Sequence, residues 1–316
     1  MTRRSALRPS LSTEPPLTQD ETIEWLLNRS QRTNRSVPIR RAFVQDTEEG
    51  PVLHQKPGPL SQLMRHERAL DLLLIMYAVT SGRDFGVTER AETWGRASGA
   101  SFAVDGTASA AVSRLWRKLE DLQLIKRSFE GRFLKVTKML EDGSGADYTR
   151  PSGSETSRKE VYFQLPYLYW GEGLHKRLNL PAKAVMLIGM SLRKAKFPLV
   201  PETYEQWYGI SQATLRRGVD QLIKAQLLDE VDEELFITGE TRTGRGKRTL
   251  YAFRPPYHLN VNKTDRKSGQ PMPKEASSAS LSAATLLGLA RPVTAPLIRP
   301  ESRRHGLVRT GTPRTD

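Results

Sequence analysis

One stretch of the chain, residues 203–255, constrains the fold more than any other. Near its centre, apolar side chains recur at the spacing that places them on one face of an α-helix. Those positions are Leu215, Val219, Leu222 and Ile223. Ser211, just after Gly209 and Ile210, predicts the N-cap of this helix, because its hydroxyl can accept from a first-turn amide. The stretch therefore predicts a helix, a tight turn, a second helix and then a β-hairpin around residues 235–253.

The same pattern occurs a second time, earlier in the chain. Aligning Leu119 with Leu222 shifts the sequence by 103 positions and brings Val112 onto Leu215. Each copy has basic residues early in the helix, an apolar stripe and a run into a strand. Shared features of any helix followed by a strand are the alternative explanation, and an internal duplication is favoured. Two winged helix-turn-helix domains in tandem, an α+β fold with flexible basic tails at both ends, are therefore predicted.

Composition shifts give the expected domain boundaries. The expected segments are a mostly disordered arm over 1–58 with a short helix near 18–32, winged-helix domain 1 over 59–165, winged-helix domain 2 over 166–257, and a disordered basic tail over 258–316. Prolines and glycines predict that residues 33–58 are a linker. Within domain 1, helices are predicted over 63–79, with Ser61 as N-cap, and over 88–97. The aromatic tract 167–170 is expected to be core rather than a base-stacking surface.

Charge and composition narrow the class of protein. The formal net charge of +14 indicates a polyanionic partner, because Lys and Arg clusters release counterions from nucleic acid. Basic membrane-surface and ribosomal proteins share this property. The absence of cysteine excludes disulfides, zinc–thiolate sites and cysteine nucleophiles. No apolar run approaches the length of a membrane span, and the N-terminus lacks the apolar part of an export signal. A cytoplasmic, nucleoid-associated protein is expected.

The sequence contains only incomplete versions of two enzyme motifs. His66-Glu67 begins like a zinc-protease helix, but Leu70 stands where the second histidine is required. Residues 244–249 are similar in composition to a phosphate loop, yet Thr241 replaces its first glycine and the segment joins two predicted strands. No enzyme activity, cofactor or metal is expected, and a site assembled only by folding is the alternative.

Polar residues outside the apolar stripes are the predicted DNA contacts. In the second copy they are Ser211, Gln212, Thr214, Arg216, Arg217 and Gln221 on the helix. In the following hairpin they are Arg242, Arg245, Lys247 and Arg248, placed for the minor groove or the backbone. In the first copy they are Ser109, Ser113, Arg114, Arg117 and Lys118. Arginine can bond guanine and glutamine adenine at two points in the major groove. An ordinary solvated helix face is the alternative.

Residues 210–217, Ile-Ser-Gln-Ala-Thr-Leu-Arg-Arg, resemble the turn and recognition helix of GntR-type winged-helix regulators. The resemblance implies DNA contacts by Ser211, Gln212, Thr214 and Arg216. Nothing in the chain matches the effector domain of that family. The whole layout is similar to plasmid replication initiators, in which one winged helix dimerises and the other binds repeated sites. That similarity implies a homodimer through domain 1, and the helix near 18–32 is a second candidate contact.

The sequence thus predicts a non-enzymatic protein that binds double-stranded DNA at specific sequences. A transcriptional regulator is the first interpretation. A replication initiator of a plasmid or other mobile element, bound to repeated origin sites, is the alternative. A winged-helix module that docks on other proteins is the second alternative, and it predicts no specific affinity for DNA.

Overall fold

The computed structural model describes residues 17–30, 32–48, 54–82, 84–100, 107–131, 133–153, 157–238 and 242–258. Its fold is mixed α+β, with small antiparallel sheets. The α-helices are α1 (Gln19–Arg29), α2 (Glu67–Val79), α3 (Ala91–Ala97), α4 (Thr107–Asp121), α5 (Leu168–Gly171), α6 (Leu174–Arg177), α7 (Leu180–Ser191), α8 (Pro201–Tyr208) and α9 (Gln212–Lys224). The strands are β1 (Ser36–Arg40), β2 (Gln45–Glu48), β3 (His54–Pro57), β4 (Gly86–Glu89), β5 (Ile125–Glu130), β6 (Phe133–Lys138), β7 (Tyr162–Pro166), β8 (Phe197–Pro198), β9 (Leu228–Ile237) and β10 (Arg245–Phe253). The predicted tail beyond residue 258 and the first 16 residues of the predicted arm lie outside the described ranges.

Two parts of the chain repeat one order of elements. A helix, a strand, two helices and a two-stranded hairpin follow one another from α2 to β6 and again from α7 to β10. In each part the first strand pairs with the last one, giving the antiparallel sheets β4-β6-β5 and β8-β10-β9. This repeated order of helices and strands is what a duplication of the segment would produce.

The helices α4 and α9 also end in the same way. Gln123 and Gln226 follow them with φ angles of 57° and 58°, in the left-handed region that residues other than glycine seldom adopt. The amide of the next leucine donates to the carbonyl five residues earlier, at 3.1 Å after α4 and 3.0 Å after α9. These bonds form a Schellman cap, which turns the chain sharply into the following strand. The two caps lie at positions that the sequence repeat aligns with each other.

Within the stretch 33–58, expected to be a linker, the described residues 33–48 and 54–58 are folded. β1 pairs with β7 in a two-stranded sheet, and β2 pairs with β3. Val37, Ile39 and Phe43 are fully buried. Pro38 lies within β1, where a two-stranded sheet leaves one side of each strand without a partner and so tolerates a missing amide. Proline content was therefore a misleading indicator of a linker here.

Two predicted helix starts are wrong, and one is confirmed. Residues Pro59–Leu63 form a 3-10 helix and α2 begins only at Glu67, so Ser61 does not cap it. Residues 88 and 89, predicted to be helical, belong to β4, because this strand pairs with β6. By contrast, Thr18 caps α1 and forms a capping box with Glu21.

One hydrophobic core runs through both repeated parts. The predicted core position of the aromatic tract is confirmed, since Tyr167, Tyr169 and Trp170 are buried. Lys183 of α7 is only 2% exposed, and its ammonium lies 2.8 Å from both carboxylate oxygens of Asp71 in α2. A cation removed from water requires such a partner, so this pair fixes α7 against α2. The expected domain boundary at residue 165 coincides with no gap in the core.

Candidate nucleic-acid interface

Helix α9 begins where the sequence predicts. The hydroxyl of Ser211 accepts a hydrogen bond from the amide of Thr214 at 3.4 Å, which makes Ser211 the N-cap. The predicted apolar stripe faces the core, with buried side chains at Leu215, Val219 and Leu222. The opposite face of the helix is thereby left to solvent.

Gly218 sets how closely α9 approaches α7. A Cβ atom at this position would lie 2.6 Å from the carbonyl oxygen of Pro181 and 2.6 Å from Cγ2 of Val185. Only glycine leaves room for two helix backbones at that distance. In the first repeated part the aligned position is Leu115, so the close approach is specific to α9.

The solvent face of α9 collects polar and cationic side chains at its N-terminal half. Gln212, Arg216 and Arg217 are exposed. Arg217 makes only long hydrogen bonds, 3.4 Å to the carbonyl of Ala213 and 3.3 Å to the Thr214 hydroxyl. Arg216 has no hydrogen bond or ion pair within the ranges that the structure describes. The first turn carries no acid, and the helix dipole adds attraction for anions there.

Gln221 differs from the other predicted contacts on α9. Its side-chain nitrogen donates to the carbonyl of Arg177 at 3.0 Å, and its oxygen accepts from the amide of Asn179 at 2.9 Å. These bonds tie α9 to the turn before α7, where Asn179 is the N-cap. The amide keeps one donor hydrogen and one lone pair, so its contact with DNA stays a prediction.

Helix α4 of the first repeated part has a comparable solvent face. The predicted contacts Ser109, Ser113, Arg114 and Arg117 are exposed, and Lys118 is half-buried. Glu120, the acid that follows them, accepts from the amide of Arg127 at 3.0 Å and from its Nε at 2.7 Å. Burial raises the pKa of Glu120, but the bonds and charge of Arg127 outweigh burial and hold that pKa below its ordinary value. This carboxylate is thus paired with the hairpin and not with the cations of α4.

The hairpin β9–β10 combines the predicted basic residues with an acidic strand that the sequence reading overlooked. Lys247 lies 2.5 Å from Glu233, and Arg248 lies 2.9 Å from Glu234. The acidic run over residues 229–234 is plain in the sequence, but only the hairpin register places it opposite the basic strand. Arg242 and Arg245 are exposed and lie nearer the turn. The hairpin is therefore acidic at its base and basic toward its tip.

The four basic residues of this hairpin do not share one side. Side chains alternate along β10, so Arg245 and Lys247 project on the side of the buried Phe253. Arg248 projects on the other side, with its guanidinium 5.3 Å from the centre of the Phe236 ring. The structure thus brings together Arg245 and Lys247 and separates Arg248 from them.

Comparisons of the chain with protein-family models, curated proteins and solved structures give no match. Within the described ranges, no three His, Asp or Glu side chains are grouped so that they could hold a metal ion. No described helix has both the length and the apolar character required to cross a membrane. Residues 245–249, which look like part of a phosphate loop in composition, lie within β10 and not in the connection between two strands that the sequence predicted. The predicted homodimer contacts stay a prediction.

Proposed function

We propose that the protein binds double-stranded DNA at specific sequences through two winged helices in tandem. The units would run from α2 to β6 and from α7 to β10, with α4 and α9 as recognition helices and the hairpins as wings. The order helix, strand, helix, helix, hairpin and the sheet order β8-β10-β9 are those expected of a winged helix. The observation that carries the proposal is the solvent face of α9, where polar side chains and two arginines are exposed together at the helix N-terminus.

This face suits the major groove chemically. Arg216 and Arg217 can each donate two hydrogen bonds to a guanine, and Gln212 can bond an adenine at two points. The amides next to Ser211 can bind a phosphate with the help of the helix dipole. The net charge of +14 adds sequence-independent attraction that weakens with salt. A role in transcription regulation is the part of the proposal that rests on the resemblance of residues 210–217 to GntR-type regulators.

The test starts with selection of a preferred site for the wild-type protein from a library of random duplexes. Combined replacement Arg216→Ala and Arg217→Ala should then weaken binding to that site by about 30-fold or more, since each lost two-point contact costs about 1–3 kcal/mol. The melting temperature should stay unchanged, because both side chains are exposed. Dissociation constants measured by fluorescence anisotropy at one fixed salt concentration give the comparison.

A charge-matched control separates specific contacts from general attraction. Lys159→Ala with Lys194→Ala removes the same number of exposed cations from positions outside the candidate face. This control should weaken binding to specific and unrelated duplexes by the same small factor. An unchanged dissociation constant in the arginine variant, or an equal loss in the control, would contradict the proposal. Failure to select any site would favour the protein-docking alternative.

A further inference from the structure

Exposed apolar side chains concentrate on the two hairpins. Among the described residues, six of the nine exposed large apolar side chains lie in β5–β6 or β9–β10. They are Phe129, Phe133, Val231, Leu235, Phe236 and Ile237. Ile237 is 92% exposed, Phe129 75% and Leu235 69%. Single exposed apolar residues are ordinary, but such a concentration at two equivalent sites indicates a contact surface.

The hairpin β9–β10 pairs its apolar residues with cations on one side. Leu235 stands directly opposite Lys247, and Ile237 stands opposite Arg245. These four residues, called here the wedge face, lie on the side that carries the buried Phe253 at the base of the hairpin. Since that side packs on the core, the wedge face extends beyond the core toward the tip.

The opposite side of the same hairpin is braced. Phe236 stands opposite Gly246, and its ring lies where a side chain at Gly246 would otherwise be. The guanidinium of Arg248 lies over that ring and also pairs with Glu234 at 2.9 Å. An aromatic ring that covers a cross-strand glycine stabilises the pairing of two strands. The bracing holds the wedge face in a defined orientation.

Charge favours nucleic acid over a second copy of the chain as the partner of this face. β9 is the edge of its sheet, but antiparallel pairing of two β9 strands over their full length would place Asp232 of each copy directly opposite Glu233 of the other. Like charges directly across strands are destabilising. Apolar side chains flanked by Lys and Arg are instead the combination with which proteins enter the minor groove, unstack a base step and hold the adjacent phosphates.

We infer that the wedge face inserts between base pairs of the duplex that α9 binds, and that binding therefore kinks the DNA. Leu235 and Ile237 would replace part of the stacking at one base step, with Arg245 on one flanking phosphate and Lys247 exchanging its exposed pair with Glu233 for the other. Phe129 occupies the corresponding side of β5–β6, opposite the core-packed Leu134. The inference rests on the proposed function and adds a deformation of the duplex to it.

The experiment uses the full chain and the duplex selected for it. The fluorescent base 2-aminopurine replaces each adenine of the site in turn, and a donor and an acceptor dye at the duplex ends report bending. Wild-type protein should raise the 2-aminopurine emission at one step and shorten the end-to-end distance. Leu235→Ser with Ile237→Ser should abolish both signals while affinity changes by less than about tenfold, because the apolar contact and the cost of unstacking offset each other.

Leu168→Ser is the matched control, since Leu168 is also exposed, at 43%, but lies in α5. It should leave both signals as in the wild type. Wild-type binding without any emission change or bending would overturn the wedge and leave the proposed function standing. Signals that persist in the double serine variant would also overturn the wedge. So would a sedimentation result in which that variant changes from dimer to monomer while the DNA distortion remains. A wild-type protein that selects no duplex would refute both proposals together.

Discussion

Replacement of Gly218 by alanine tests the close approach of α9 to α7. Alanine alone would stabilise a helix interior by about 1 kcal/mol relative to glycine. The new Cβ would lie 2.6 Å from the carbonyl oxygen of Pro181, a backbone atom that cannot rotate away, and equally close to Val185. Overpacking of this kind costs about 1–3 kcal/mol, and a contact this short belongs at the upper end. A net loss of about 1–2 kcal/mol is therefore expected.

Urea unfolding at 25 °C measures this loss as a lower midpoint with an unchanged slope. For a folded region of this size, the melting temperature should fall by about 2–8 °C. Gly171→Ala is the control, because a Cβ there would make only an ordinary contact, 3.7 Å from Leu168 Cδ1. A Gly218→Ala protein as stable as the wild type would refute the reasoning. Because the substitution displaces α9, affinity for a selected duplex should fall with it.

Two buried ionisable sites give further predictions. Burial lowers the pKa of His175 to about 4. As the pH falls below about 6.5, the unfolded chain therefore gains a proton at this residue and the folded chain does not. About 2 kcal/mol of unfolding free energy should be lost between pH 7 and pH 5 for this reason. Urea titrations of His175→Asn should lack this loss, and parallel pH profiles would contradict it. Glu141 is fully buried, 3.0 Å from Arg40 and 2.8 Å from Lys138, so Glu141→Ala should cost about 3–5 kcal/mol of unfolding free energy. The exposed Glu130→Ala control should lower the unfolding free energy far less in the same assay, and equal losses would refute the buried pair.

Local signals allowed part of the fold to be predicted. The stripe of Leu215, Val219 and Leu222 and the N-cap at Ser211 depend on residues within a few positions of one another, so the sequence alone defined α9. β1 could not be found in this way, because its partner β7 lies more than a hundred residues further along the chain. Residues 88 and 89 were predicted to be helical for the same reason, because their strand conformation depends on pairing with the distant β6.

In the candidate site too, only the features that depend on nearby residues could be predicted from the sequence. Arg216 could be placed on the solvent face because it falls outside the apolar stripe. The hydrogen bond from Gln221 to the carbonyl of Arg177 depends on where α7 packs, and the spacing of apolar residues does not indicate this. The cross-strand pairs of Lys247 and Arg248 depend on the register of the hairpin, which includes an irregularity next to Tyr251. Separating the paired cations from the accessible ones therefore required the structure.

The single core that joins the two repeated parts has a consequence for spacing. Helices α4 and α9 cannot move independently while Lys183 and Asp71 stay paired and the core stays closed. If both helices touch one duplex, the chain acts as a ruler, because each inserted base pair moves one sequence block by about 3.4 Å and rotates it by about 35°. Such a protein would reject a site with one extra base pair as firmly as a site with the wrong bases.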